Sequence, residues 1–177
     1  LWRDETGSDA DGKTVRISSG NAVSKHHAFG VGKVENDDRA DWGEAWKLFS
    51  GNVAYVWHAM RTSTCVGNSL INSDFEIRAE IVWAKSQLVI SRGHYHPQHE
   101  SCFYAVRNGE NSLWIGDHKQ TTLWEIDKPI KSDTGHSTQK PLECMGRAIR
   151  NHNGNVYEPF AGSGTTIIAA HNLNRRC

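Results

Sequence analysis

The sequence predicts an α/β fold with a mostly parallel sheet and a small antiparallel insert. Two apolar segments, at 53–57 and 75–84, have the character of buried strands, and a segment of helical spacing at 61–72 lies between them. A helix that joins two buried strands is typical of a parallel sheet. At 155–170 a short apolar segment, a turn with two glycines and an apolar helix follow one another, which is the order at nucleotide sites of such sheets.

The remaining elements are assigned in chain order. Residues 1–40 are polar and glycine-rich without lasting periodicity, so we expect a polar N-terminal loop region there and an α/β domain over 41–177. Apolar residues with helical spacing predict a helix over 41–49, and a proline suited to a first helical turn predicts another from 141. Short strands are predicted at 102–106, 113–115, 122–126 and 155–158. The strands at 113–115 and 122–126 would form the antiparallel insert, at about 108–131.

Composition narrows the class of protein. The chain has 20 Lys and Arg against 20 Asp and Glu, so bulk charge does not indicate nucleic-acid binding and any basic surface would be local. The four cysteines form no close pair in the sequence, which argues against a zinc knuckle and for a reducing, cytoplasmic compartment. No apolar run approaches the roughly 20 residues that a membrane span needs, so we expect no membrane-spanning segment.

The glycine turn after Glu158 is the first candidate site. Gly162 and Gly164 would let a ligand approach the backbone, and the free N–H groups of a helix from Thr165 would point back at the turn. The segment lacks the dinucleotide fingerprint, and no lysine follows the second glycine as in a phosphate loop. The Glu158 carboxylate favours a cationic or hydroxyl-bearing ligand over a polyphosphate. The glycines alone leave open a turn that binds no ligand.

A loop at 91–100, Ser-Arg-Gly-His-Tyr-His-Pro-Gln-His-Glu, is the second candidate site. Its groups suited to contact with DNA phosphates or bases are Arg92, His94, Tyr95 and His96. As an alternative, His94, His96 and Glu100 have the spacing of metal ligands in cupin-type barrels. The chain lacks the Pro-x-Gly turn and later histidine of a cupin, and Pro97 interrupts the strand that such ligands need, so we predict no metal. A polar loop without a ligand is the remaining interpretation.

Three segments resemble motifs of the S-adenosylmethionine-dependent amino-group DNA methyltransferases, in the subgroup whose target-binding half precedes the cofactor half. Glu158-Pro-Phe-Ala-Gly-Ser-Gly-Thr resembles the cofactor loop, usually Asp-x-Phe-x-Gly-Ser-Gly-Thr. His136-Ser-Thr-Gln-Lys-Pro resembles the segment that encloses the methionine part of the cofactor. Residues 81–85 together with 91–100 resemble the strand and loop near the flipped base. The resemblance covers roughly 35–177, and its first two motifs are specific as a pair, about twenty residues apart.

The resemblance implies a Rossmann-like methyltransferase sheet and methyl transfer from S-adenosylmethionine to an exocyclic amine of a base flipped out of double-stranded DNA. Adenine N6 is preferred to cytosine N4 because it is the more frequent target in the family. The residues implied to line the cofactor are Glu158, Phe160, Gly162, Ser163, Gly164 and Thr165, with Thr138, Lys140 and Pro141 closing its far side. The insert would take part in target recognition. The resemblance assigns no restriction partner.

The chain departs from the family pattern in two respects. The catalytic tetrapeptide Asp/Asn/Ser-Pro-Pro-Tyr/Phe needs adjacent prolines, whereas the four prolines here, at 97, 129, 141 and 159, are all separated. The strand that carries an acid for the cofactor ribose would come after Cys177. We therefore assign no catalytic residue, and expect an incomplete sheet from an internal piece of a longer product, no methylation by this chain alone, and a free strand edge that favours homodimers. A non-catalytic DNA-binding remnant is the alternative.

Overall fold

The computed structural model describes residues 6–8, 14–16, 39–91, 93–127 and 139–177. It forms two units, 1–38 and 39–177. In the first unit, strands β1 (Thr6–Ser8) and β2 (Thr14–Arg16) pair in antiparallel register. The sequence predicted only loop in this region, because strands of three residues are too short to give an alternating pattern.

The second unit is built on a sheet of four strands. These are β3 (Val53–His58), β4 (Phe75–Ala84), β5 (His99–Arg107) and β6 (Leu123–Glu125), in the spatial order β3-β5-β4-β6. Strand β5 is antiparallel to both β3 and β4, and β4 is parallel to β6. Three strands therefore share one direction, and β5 runs against them.

The prediction of a mostly parallel sheet is wrong for this pairing, since two of the three neighbouring pairs are antiparallel. The helix between β3 and β4 does join strands of the same direction, but β5 returns between them. Apolar patterning cannot reveal this, because it does not say whether two buried strands are neighbours. The predicted insert is also wrong: 113–115 contributes one isolated bridge, from Trp114 to His152, and β6 joins the main sheet.

The strand predicted at 155–158 does not form. Among the described residues, its one backbone–backbone hydrogen bond joins the Val156 N–H to the Arg176 carbonyl oxygen at 2.8 Å, and no described strand pairs with it. A segment with strand-forming residues stays irregular when no ladder partner is in reach. Strand β3 likewise has a described neighbour only on its β5 side. Homodimer formation through such an edge stays a prediction.

The predicted helices are confirmed, with shorter bounds in most cases. They are α1 (Gly43–Leu48), a single 3₁₀ turn (Met60–Thr62) that continues into α2 (Ser63–Ile71), α3 (Leu142–Arg150) and α4 (Thr165–Asn172). The Asp41 carboxylate accepts the Gly43 N–H at 3.0 Å and so stabilises the start of α1. Within the described ranges, no helix has the length and apolarity needed to cross a bilayer.

The sheet buries an apolar cluster on each face. Helices α1 and α2 cover one face, where Trp46, Leu70, Phe75 and Ala105 form the centre. Helix α3 covers the other, and its Cys144 packs in a cluster with the buried residues Ile81, Trp83, Cys102, Trp124 and Ile126. Most of the free energy that holds the unit together comes from these two layers.

A hydrogen-bonded pair joins β3 to the chain after α3. The Tyr55 hydroxyl lies 2.8 Å from His152 Nε2, and His152 Nδ1 lies 2.6 Å from the Ser112 carbonyl oxygen. Because that carbonyl can only accept, Nδ1 carries the proton and Nε2 accepts from Tyr55. Burial lowers the pKa of His152, so the folded protein holds this ring neutral.

H152N tests this assignment. The amide keeps a donor for Ser112 but leaves the Tyr55 hydroxyl without its acceptor, so we expect a loss of about 1–2 kcal/mol in unfolding free energy at pH 7.5. The stability from a neutral His152 is present above the unfolded-state pKa of about 6.5 and is lost as pH falls through the lower folded pKa. The difference between wild type and H152N should therefore shrink between pH 7 and pH 5 in urea denaturation.

Y55F is the matched control for H152N. It removes the same hydrogen bond but keeps the histidine, so it should be less stable than wild type at neutral pH while keeping the wild-type loss of stability on acidification. A gap between wild type and H152N that stays constant over this pH range would contradict a buried neutral His152.

Candidate functional site

The turn from Glu158 to α4 has the geometry expected of a ligand-binding loop. Gly162 and Gly164 adopt φ angles of +50° and +78°, which side chains with a Cβ rarely tolerate. The Gly164 N–H donates to the Ala161 carbonyl oxygen at 2.7 Å, and Gly164 accepts the Ile168 N–H at 3.0 Å as α4 begins. A Cβ on Gly164 would meet no atom within 4 Å, so the backbone is open to a ligand on that side.

Glu158 lies at the start of this turn, and no described cation pairs with its carboxylate. Its Oε1 accepts the Phe160 N–H at 2.8 Å, which fixes the carboxylate against the turn. The side chain is half-buried, and none of the ion pairs between described residues includes it. A fixed, partly desolvated carboxylate without a cationic partner is suited to a cationic ligand group.

The segment before α3 contacts the same turn. Gln139 Nε2 donates to Thr165 Oγ1 at 3.3 Å, and Thr165 Oγ1 lies 3.1 Å from Ser163 Oγ. Thr165 and Pro141 are buried, and α3 packs against α4. Residues 139–141 and the glycine turn therefore lie together.

Aromatic contacts seat the turn on α1. The Phe160 ring lies 4.7 Å from the Trp42 ring and 6.4 Å from that of Trp46, both edge-on, and Tyr157 stacks on Phe49 at 5.5 Å. Edge-to-face and offset pairs at these separations are favourable beyond the area that they bury. These contacts hold 157–160 in place although no strand forms there.

Lys140 reaches the end of the sheet. Its Nζ lies 3.0 Å from Glu100 Oε2 and 5.2 Å from the centre of the Trp57 ring. The other oxygen of Glu100 accepts from Lys85 Nζ at 2.7 Å. The spacing of residues suggested Glu100 only as a candidate metal ligand. Its pairing with two lysines could not be predicted, because no local pattern joins residues at three separate places in the chain.

Residues 93–98 of the loop are exposed to solvent. His94, Tyr95 and His96 are exposed, and Tyr95 keeps 93% of its accessible surface. The Ser91 N–H donates to His96 Nδ1 at 3.1 Å, and the Ser91 hydroxyl donates to the Tyr95 carbonyl oxygen at 3.2 Å. These contacts join Ser91 to Tyr95 and His96, and they leave the Tyr95 ring exposed to solvent.

Two predicted site residues, Arg92 and Thr138, lie outside the described residues. The cupin-type alternative has no support in the described ranges, where no three His, Cys, Asp or Glu residues come together as a metal site. Glu100 is instead engaged by two lysines. A cavity of about 120 Å³ lies elsewhere, on the α3 face of the sheet, lined in part by Tyr55, Tyr104 and Trp124, and it contains none of the predicted site residues.

Comparison with known proteins identifies the family. The family model N6_N4_Mtase, described as DNA methylase, matches residues 50–177. The chain belongs to this DNA methylase family. It is 28% identical over 135 residues to the type II methyltransferase M2.MboI of Moraxella bovis, covering 62% of this chain and 46% of that protein. It is 26% identical over 164 residues to the type II methyltransferase M2.LlaDCHI of Lactococcus lactis subsp. cremoris, covering 79% and 61%.

A solved structure shares the fold. The crystal structure of the M1.HpyAVI-SAM complex is similar with a TM-score of 0.60 and 27% identity, over 70% of this chain and 64% of that one. This similarity confirms the α/β class predicted from the sequence. The chain spans about half the length of the curated relatives that it matches.

The left-handed turn can be tested by G164A. Forcing alanine to φ near +78° should cost about 1–2 kcal/mol of unfolding free energy, as L-residues pay in this region. G109A is a matched control: Gly109 has φ +75° and equally open surroundings, but it lies in the turn after β5. Both variants should lose similar stability in urea denaturation. A G164A protein as stable as wild type would show that the turn does not need a left-handed glycine.

Proposed function

We propose that this chain is the cofactor-binding and target-facing part of a DNA methyltransferase. The proposed reaction is transfer of a methyl group from S-adenosylmethionine to the exocyclic amine of a flipped base, adenine N6 in preference to cytosine N4. The observation that carries the proposal is the contact between Gln139 and Thr165, which joins the two cofactor motifs. The common direction of β3, β4 and β6 is compatible with a Rossmann-like sheet.

The residues of the turn fit the chemistry of this cofactor. S-adenosylmethionine carries an ammonium and a sulfonium, and Glu158 offers a carboxylate that no described cation neutralises. The residues that would hold the cofactor are Glu158, Phe160, Gly162, Ser163, Gly164, Thr165, Lys140 and Pro141. When bound, the cofactor supplies an electrophilic methyl group. The protein would hold the cationic end of the cofactor by charge, and the glycines of the turn would let the cofactor approach the backbone closely.

The loop at 91–98 is the proposed DNA contact. Its exposed histidines can donate to phosphates and base edges, and the Tyr95 ring is free to stack on a base. Because the target amine is buried in the duplex, the base must leave the stack before reaction. A cytoplasmic location, and pairing of two copies through the side of β3 that has no described neighbour, belong to the same proposal.

A second candidate function is a DNA-binding remnant without catalysis. The observation that favours it is the lack of any Pro-Pro dipeptide in the sequence, since the family's catalytic tetrapeptide needs one. The two candidates differ in the cofactor: the remnant would bind DNA without binding S-adenosylmethionine.

E158Q tests the cofactor site. Replacing the carboxylate by an amide removes the charge that faces the ammonium or sulfonium but keeps the size of the side chain, so affinity for S-adenosylhomocysteine and S-adenosylmethionine should fall about tenfold or more. Isothermal titration calorimetry measures this. E125Q, an exposed glutamate on β6, is the control and should bind as wild type does. Equal affinities for E158Q and wild type would remove Glu158 from the site.

The lack of the tetrapeptide predicts that this chain alone does not methylate DNA. Incubation of the 177-residue chain with tritiated S-adenosylmethionine and duplex DNA should transfer no label above background, while the chain still binds the cofactor. Clear incorporation of label into DNA would contradict the prediction. DNA binding in a chain that does not bind the cofactor would instead support the remnant.

A further inference from the structure

A half-buried carboxylate bridges two lysines at the end of the sheet. Glu100, the second residue of β5, accepts from Lys85 Nζ at 2.7 Å through one oxygen and from Lys140 Nζ at 3.0 Å through the other. The side chains keep 10% (Lys85), 25% (Lys140) and 34% (Glu100) of their accessible surface. We call this group the Lys-Glu-Lys bridge. Each of its charges is partly withdrawn from water, so each depends on the others.

Each lysine ammonium group also lies over an indole ring, which restricts its position. Lys85 Nζ lies 5.1 Å from the centre of the Trp83 ring, and Lys140 Nζ lies 5.2 Å from that of Trp57. The two rings meet edge to face at 6.5 Å. Ammonium groups over indole faces gain a further attraction. The bridge therefore has a defined geometry, unlike a typical surface ion pair between flexible side chains.

The charges of the two lysines keep Glu100 ionised and so favour the Lys-Glu-Lys bridge. Burial by itself raises the pKa of Glu100, but the hydrogen bonds and charges of Lys85 and Lys140 outweigh it and hold the pKa below its usual value. Glu100 is thus ionised at neutral pH. Its removal would leave two ammonium groups close together in a partly desolvated place, which opposes the docking of Lys140.

Hydrogen bonds of Lys85, and of the residue beside Lys140, connect the bridge to both candidate sites. On one side, the Lys85 N–H donates to the Gln98 carbonyl oxygen at 2.8 Å, and Gln98 Nε2 donates back to the Lys85 carbonyl oxygen at 3.1 Å, which closes the base of the exposed loop. On the other side, Gln139 is the neighbour of Lys140 and contacts Thr165 at the glycine turn.

We propose that Glu100 is a positioning residue that holds the segment 139–141 against the sheet through Lys140, and so couples the loop at 91–98 to the glycine turn. Its effect on the cofactor rests on the function proposed above, whereas its effect on the segment does not. Among the described residues, Glu100 forms no hydrogen bond or ion pair with the turn or with the exposed loop. It acts through the two lysines, one fixed beside each site.

The test compares E100Q, K140M and the double variant in the full 177-residue chain. E76Q is the matched control, because it also removes a glutamate ion pair from the sheet, with Arg78 at 3.1 Å, but is not joined to Lys140. Hydrogen–deuterium exchange without ligand should be faster than wild type in peptides that cover 139–141 and 162–165 for E100Q and K140M. It should be unchanged there for E76Q.

Calorimetric titration with S-adenosylhomocysteine gives a second readout. Each single variant should bind about tenfold more weakly, and the double variant no more weakly than either, because both changes break one coupled unit. Additive losses in the double variant would overturn the proposal. So would exchange and affinity in E100Q that match wild type and E76Q.

The outcomes separate the two proposals. If wild type does not bind S-adenosylhomocysteine, the proposed function fails, and the exchange data alone decide whether Glu100 positions the segment. If E100Q does not fold, K140M tests the proposal instead, because it changes the more exposed of the two lysines. Faster hydrogen–deuterium exchange at 162–165 in K140M would support the Lys-Glu-Lys bridge. Exchange equal to that of wild type would overturn it.

Discussion

Strand β5 is the element on which the rest of the structure depends. It pairs along its length with β3 on one side and β4 on the other, and it runs against both. Its Cys102, Ala105 and Val106 are fully buried, so both faces of the sheet pack against it. The same strand begins with His99 and Glu100, which places a carboxylate at the end of the sheet where β3 and β4 finish. The pairing of β5 between β3 and β4 thus determines both the core and the position of Glu100.

The candidate site is assembled from distant parts of the chain. The turn after Glu158 lies against the aromatic residues of α1, and the segment before α3 contacts its first helical residue. Glycine conformation, a fixed carboxylate and a hydrogen-bonded threonine are local features of one motif. Their alignment with Lys140 needs the tertiary structure, because it depends on Glu100 and Trp57 at the ends of two different strands.

Much of this could be predicted from the sequence. The helices, the strands at 53–58 and 75–84 and the glycine turn all have local patterns, because the periodicity of buried residues and the need for glycine at positive φ are fixed by short-range geometry. The pairing order could not be predicted, because the residues of β5 indicate a strand but its neighbours and its direction depend on where the chain returns.

The errors have the same physical origin. Val156 and Tyr157 have strand-forming character, but a strand exists only where a neighbour supplies hydrogen bonds, and the described sheet has none beside them. The spacing of Glu100 after two histidines suggested only the cupin-type alternative, whereas charge directs Glu100 to lysines that are near in space. Local sequence therefore predicted the parts of the site, and long-range contacts determined their arrangement.

The central claim is that the turn after Glu158 and the segment at 139–141 form one pocket for S-adenosylmethionine. The most direct measurement is a titration of the isotope-labelled chain with S-adenosylhomocysteine, followed by the chemical shifts of backbone amides. The account predicts saturable shifts concentrated at 158–165 and at Gln139 and Lys140, with none at the turn around Gly109. Shifts confined to the cavity beside Tyr55, or no binding at all, would contradict it.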